Sequence, residues 1–147
     1  MDAPPWDGTG PDDDLPAMPS APLAAPADAL ELLLGLVGPE AGGPPALWFV
    51  LLDAARQPLP LVLPITDVPP RPDTRVTHEL ARVLASVLAH DAPDGSVVVA
   101  LVRAAGGDDG PFERDWSRAV HDACHHAGVT VWTTLAIGAH RARVLHR

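Results

Sequence analysis

The side chains that could do chemistry fall into two clusters. One is "HDACHH", where His121 and His125 stand four apart, with Cys124, the chain's one cysteine, beside them. That pairing would suit a metal, but zinc needs three or four ligands converging from different elements. On a helical wheel His121 and His125 point away from Trp116, Val120 and Ala127, so solvated histidines are expected. The other histidines (78, 90, 126, 140, 146) form no H-x-H or H-E-x-x-H pattern. The second cluster is acidic: Asp108, Asp109 and Asp115 in "ALVRAAGGDDGPFERDW". As a phosphate cradle this loop lacks the G-x-G-x-x-G spacing and a Walker lysine. Its aspartates sit before the positive end of a helix dipole, where they compete with an anion. As an acid/base pair, Asp108 and Asp115 with a nearby histidine could serve a hydrolase. Serines occur only at positions 20, 86, 96 and 117, none in a nucleophile elbow. Cys124 has no basic neighbour placed to activate it and reads as a small residue at the core edge.

These residues need elements to hold them. "SVVVALV" has the unbroken apolar character of a central strand covered on both faces. The acidic loop follows it, and "PFERDWSRAVHDACHHAG" then reads as a helix with proline at its start and glycine at its end. Its inner face is expected to be Trp116, Ala119, Val120, Ala123 and Ala127. Upstream, "TRVTHELARVLASVLAHD" is an amphipathic helix with Val76, Leu80, Val83, Leu84, Val87 and Leu88 on one face. "ALWFVLLD" reads as a buried strand. "PLPLVLPI" reads as an edge strand, because its prolines at 58, 60 and 64 remove backbone donors on one parity. "VTVWTTLAIG" is a further strand and "ARVL" a short last one. "DALELLLGLVG" is a short helix capped by Asp28, apolar on Leu30, Leu33, Leu34 and Val37, and expected to dock on the chain's own core. The order predicts an α/β (α+β) fold, with a mixed sheet of about five or six strands sandwiched by helices.

Charge separates the chain into parts. Residues 1–53 carry nine acidic groups and no basic one, and residues 54–147 carry ten of each sign. The net charge of −9 therefore belongs to the N-terminal third. No Lys/Arg cluster supplies the footprint of a nucleic-acid binder. Residues 1–26 are rich in Pro, Asp and Gly and are expected to be a disordered acidic tail, with Trp6 its one aromatic. Residues 27–45 form a short helix and linker, and residues 46–147 the main domain. The chain opens without a signal-peptide pattern, and its longest apolar run, 46–52, is too short to span a membrane. A cytoplasmic protein is expected.

From Leu47 to Leu145 the chain resembles the C-terminal domain of RadC-like proteins, a branch of the JAB/MPN (JAMM metalloprotease) fold. "LWFVLLDAARQPL" looks like that family's opening strand, aspartate and turn. "VVVALVRAAGGDDGPFERD" has the shape of its central strand, H-N-H-P-S-G-D loop and helical aspartate, and "GVTVWTTLAIG" that of its closing strand. The resemblance places Asp115 on the helical aspartate, Gly107 on the loop glycine and Asp108 on the residue after it. It also places Val102 and Ala104 where the family has its two metal histidines, Gly106 on the loop serine, and Thr133 and Thr134 on the Asp-His pair. No glutamate lies between Glu40 and Glu79 to act as the family's catalytic one. A single carboxylate cannot hold zinc or activate its water. A deaminase-like α/β sandwich, cytidine-deaminase-like in architecture, shares the element order.

What the resemblance implies is a metal-free pseudoenzyme with no cofactor, acting as a protein-interaction or scaffold module. The expected partner is a protein or a second copy. It would be engaged through the edge strand, at Leu61 and Leu63, or through the altered pocket of Arg103, Asp108, Asp109 and Asp115. Two alternatives stand beside it: a hydrolase or other enzyme with atypical acid/base residues around Asp108 and Asp115, and the DNA-repair association that the RadC label carries.

Overall fold

A computed structural model describes residues 21–145. Its centre is β3 (Ser96–Val102), all seven residues of which are buried. Alternate side chains of a strand point to opposite faces. Val97, Val99 and Leu101 therefore enter one core, and Val98, Ala100 and Val102 the other. Each fully buried Val or Leu contributes about 1.5–3 kcal/mol, which is why an uninterrupted apolar run settles here.

Five strands form one mixed sheet in the order β2-β1-β3-β4-β5. β1 (Ala46–Leu52) runs antiparallel to both β2 (Pro58–Thr66) and β3. β4 (Thr130–Ile137) lies parallel to β3, and β5 (Ala142–Leu145) returns antiparallel to β4. The parallel pair is joined by α3 (Pro111–Ala127), the helical crossover that such a pair requires. α2 (Thr74–Asp91) packs beside α3 on one face, and α1 (Pro26–Val37) lies alone on the other against β4 and β5.

Local chemistry sets the ends of these elements. Asp73 caps α2: its Oδ1 accepts from the backbone N–H of Arg75 at 2.9 Å and of Val76 at 3.4 Å. Asp28 caps α1 from inside its first turn, with Oδ2 accepting from the N–H groups of Ala24 and Ala25 at 3.0 Å each. α3 begins at Pro111 and ends at Gly128, which is left-handed at φ +76°. Trp116 is buried because its indole N–H reaches the Pro69 carbonyl at 2.9 Å.

Several expectations are corrected in detail. Leu23 falls within the segment expected to be a tail, yet it is buried in the α1-side core, and its N–H donates to the Arg56 carbonyl at 3.0 Å. The remainder of that segment, with Trp6, lies outside the described residues. The buried stripe of α1 is Ala29, Leu33 and Val37, and Leu34 is exposed. Val76 and Val83 of α2 are 48% and 51% exposed, because only Thr77, Leu80, Ala81, Leu84 and Leu88 turn fully inward. β2 is the edge strand that its prolines predict. Pro58, Pro60 and Pro64 cannot donate, so the ladder to β1 draws its donors from the other parity. No helix among the described residues is long and apolar enough to cross a membrane.

Candidate functional site

In a sheet with parallel strands, ligands sit beyond the carboxyl ends of those strands. Here the carboxyl ends of β3 and β4 lead into residues 103–110 and 138–141, and these two loops are locked together. The Arg103 N–H donates to the Ile137 carbonyl at 3.0 Å, and the Ala139 N–H to the Ala104 carbonyl at 2.9 Å. Arg141 reaches across, donating from Nε to the Gly106 carbonyl and from Nη2 to Asp108 Oδ2, both at 2.9 Å. The glycines permit this approach. A Cβ on Gly138 would lie 2.3 Å from the Gly106 oxygen, and one on Gly107 (φ +83°) would lie 2.1 Å from the Arg141 oxygen. Both Gly106 and Gly107 are buried.

A second clasp joins the loop to α3. Glu113, in the helix's first turn, is wholly buried. Arg103 grips it with both arms of its guanidinium, Nε to Oε2 at 3.2 Å and Nη2 to Oε1 at 3.0 Å. Glu113 Oε1 also accepts from the Gly110 N–H at 3.2 Å, capping the helix. Arg103 Nη2 lies 3.5 Å from Asp108 Oδ1, and the guanidinium covers the Phe112 ring at 5.5 Å. Glu113, Arg103, Asp108 and Arg141 thus form one alternating chain of charges. The position at which an anion would meet the α3 N-terminus is held by Glu113 itself, a residue of the protein.

The positions singled out by resemblance do not converge. Val102 points into the α1-side core, on the face opposite α3. Ala104 is exposed. Thr133 and Thr134 are both buried but, as neighbours on β4, point to opposite faces. Asp115 is exposed and far round the helix from Glu113's clasp. Asp109 lies in the loop, and its carbonyl accepts from Arg114 Nη1 at 2.7 Å. Glu113 and Arg141 are the members of the network that the sequence reading missed. The available signal was a glutamate at the third position of a helix opened by Gly-Pro, which is a capping position.

Asp115 belongs to a separate feature, an open groove of about 440 Å³ between the N-terminal half of α2 and α3. Arg71, His78, Arg118, Asp122 and His126 share it. His78 and His126 bring their rings to 5.7 Å. Among the described residues no group of three or more His, Cys, Asp or Glu side chains is placed to hold a metal ion.

The histidine pair predicted to face solvent divides. His125 is exposed, but His121 is half-buried, and its Nε2 lies 2.7 Å from the Thr134 hydroxyl. Burial lowers the His121 pKa, and the neighbouring Asp122 charge only partly offsets this. Cys124 is buried deeper than a core-edge residue, and desolvation pushes its thiol up to about 11. Compared with known proteins, the chain matches no family model and has no significant match among curated proteins.

Proposed function

We propose that this protein is a non-catalytic interaction module of JAB/MPN-like, deaminase-related architecture, working through its surface. The observation that carries this reading is the closed junction beyond β3 and β4. Its backbone is interlocked and its arginines and carboxylates are paired with one another, Asp108 Oδ1 being the buried carboxylate oxygen there without a hydrogen bond among the described residues. This mutual pairing supports a structural role for the junction. The element order α-β-β-α-β-α-β-β supports the architecture. The contact surface in this reading is the corner between α2 and β2. Leu61 is 40% exposed there, Leu63 is half-buried, and Val76 and Val83 are about half exposed. The contact is made by side chains. Pro58, Pro60 and Pro64 leave β2 too few free N–H groups to template another strand.

The test is a photo-crosslinking residue placed at Leu61 in the full chain inside cells, with the same probe at Ala104 as control. The reading expects a protein adduct from Leu61 and none from Ala104. Adducts from neither position overturn it.

One observation favours a second reading, an acid/base enzyme at the α2–α3 groove. Asp115, Asp122, His78 and His126 share that cleft with two arginines. Hydrolysis of a model ester, amide or phosphoester that is lost in Asp115→Asn and in His78→Ala would establish it. Equal rates in wild type and both variants exclude it.

A further inference from the structure

The surface corner has a chemistry that fits one occupant. α3 lies on one flank of α2: Thr74, Thr77 and His78 face it across one groove, and Ala85, Leu88 and Ala89 across another. The opposite flank of α2 carries Val76, Val83 and Val87, spaced seven and then four residues apart, which keeps them on one stripe. α3 contacts β3 and β4, whereas Leu80, Leu84 and Leu88 of α2 share a core with Phe49 and Leu51 of β1, against which Leu59, Leu63 and Ile65 of β2 pack, so α2 sits toward the β2 edge of the sheet. The exposed apolar side chains of this corner are thus Val76 and Val83 on α2 and Leu61 on β2.

Charge borders the valine stripe of α2. Arg75, Glu79 and Arg82 are exposed on α2, and among the described residues none of them forms an ion pair. Glu79, Arg82, Val83 and Ser86 line a shallow depression of about 400 Å³. The surface thus presents an apolar ridge, a hollow that begins at the ridge's own Val83, and within that hollow one charge of each sign, Glu79 and Arg82. A surface with both halves of its own complement is what a two-fold contact requires, since the same patch must meet itself.

We infer that the α2–β2 corner is a self-association surface, on which a second copy of this chain docks with its α2 antiparallel to the first. In that arrangement the Val76–Val83 ridge of each copy enters the hollow of the other. Glu79 of each copy pairs with Arg82 of the other. The prolines of β2 keep the two sheets from joining edge to edge, so the dimer is closed and does not grow. This rests on the interaction-module reading and names its partner.

Sedimentation equilibrium of the full chain tests the inference. A dimer is expected at about 100 µM, with Val83→Glu shifting it to monomer. Glu79→Arg and Arg82→Glu are each expected to weaken dimerisation roughly tenfold, about 1.4 kcal/mol. The double exchange E79R/R82E restores it, because the opposite charges are again paired. All three positions, 79, 82 and 83, are solvent-facing, and circular dichroism confirms that each variant is folded. A monomer at every concentration overturns the proposal, as does a dimer indifferent to the single charge changes. A monomer that still forms an adduct from Leu61 with another polypeptide overturns self-association alone and leaves the interaction reading standing.

Discussion

Replacing Arg103 with alanine strands the Glu113 carboxylate, and the size of the effect can be worked from the geometry. The two charges meet at 3.0 Å. At an effective dielectric of about 20 this is worth roughly 5 kcal/mol of attraction. Part of that offsets the desolvation of both ions, so the intact pair adds little net stability. Removing one partner is different. Glu113 has no exposed surface and retains only the Gly110 N–H as a donor. A buried charge left in that condition costs about 3–5 kcal/mol. Arg103 is itself 28% exposed, so water screens part of the interaction and the lower end of that range is expected. With a urea m-value of about 2 kcal/mol/M, a loss of about 3 kcal/mol moves the midpoint down by roughly 1.5 M. The double variant Arg103→Met with Glu113→Gln keeps an acceptor for Gly110 and removes both charges. It is predicted to be more stable than Arg103→Ala. A loss below about 1 kcal/mol, the ordinary value of a surface ion pair, refutes the reasoning. So does a double variant no better than the single.

Three other perturbations follow from the same structure. Gly138→Ala drives a Cβ to 2.3 Å from the Gly106 oxygen and should cost more than about 2 kcal/mol, whereas Gly35→Ala in α1 meets nothing within 4 Å and should gain roughly 0.5–1 kcal/mol in thermal or urea melts. Cys124, buried with its thiol pKa near 11, should resist a maleimide in the native protein at neutral pH and react fully in denaturant. His121 is held below its ordinary 6.5, so the unfolded chain takes up that proton first as pH falls. Its contribution is full above pH 6.5 and declines below it, toward the folded-state pKa. Stability measured from about pH 7.5 down to 5.5 should therefore fall, and His121→Gln should flatten the part of the slope that this residue supplies.

The elements were readable wherever one residue type does one job. Seven consecutive buried positions in β3 follow from "SVVVALV". The prolines at alternate positions of β2 announce an edge, and Pro111 and Gly128 bracket α3. Position within a helix was harder to read, because an amphipathic stripe is wider than the buried strip beneath it. Val76 and Val83 share a face with Leu80 and Leu84 on a wheel, yet sit at its margin and are about half exposed. The site was the least readable part. Glu113 and Arg103 are ten residues apart, and Arg141 meets Asp108 across 33. The first pair exists only once the loop folds back on the start of α3, and the second only once the parallel strands place two loops side by side. His121 misled for a related reason. A wheel describes one helix, and the partner of His121, Thr134, is on a strand.

The most direct test of the closed junction is zinc binding by the full chain, measured by equilibrium dialysis followed by elemental analysis. With Val102 turned into the core, Asp115 on another surface, and Asp108 and Glu113 held by arginines, zinc should be retained at less than about 0.1 equivalent. One tightly held equivalent, lost on Asp108→Asn or Glu113→Gln, would contradict the account: the clasp would then be a metal site, and the junction open to chemistry.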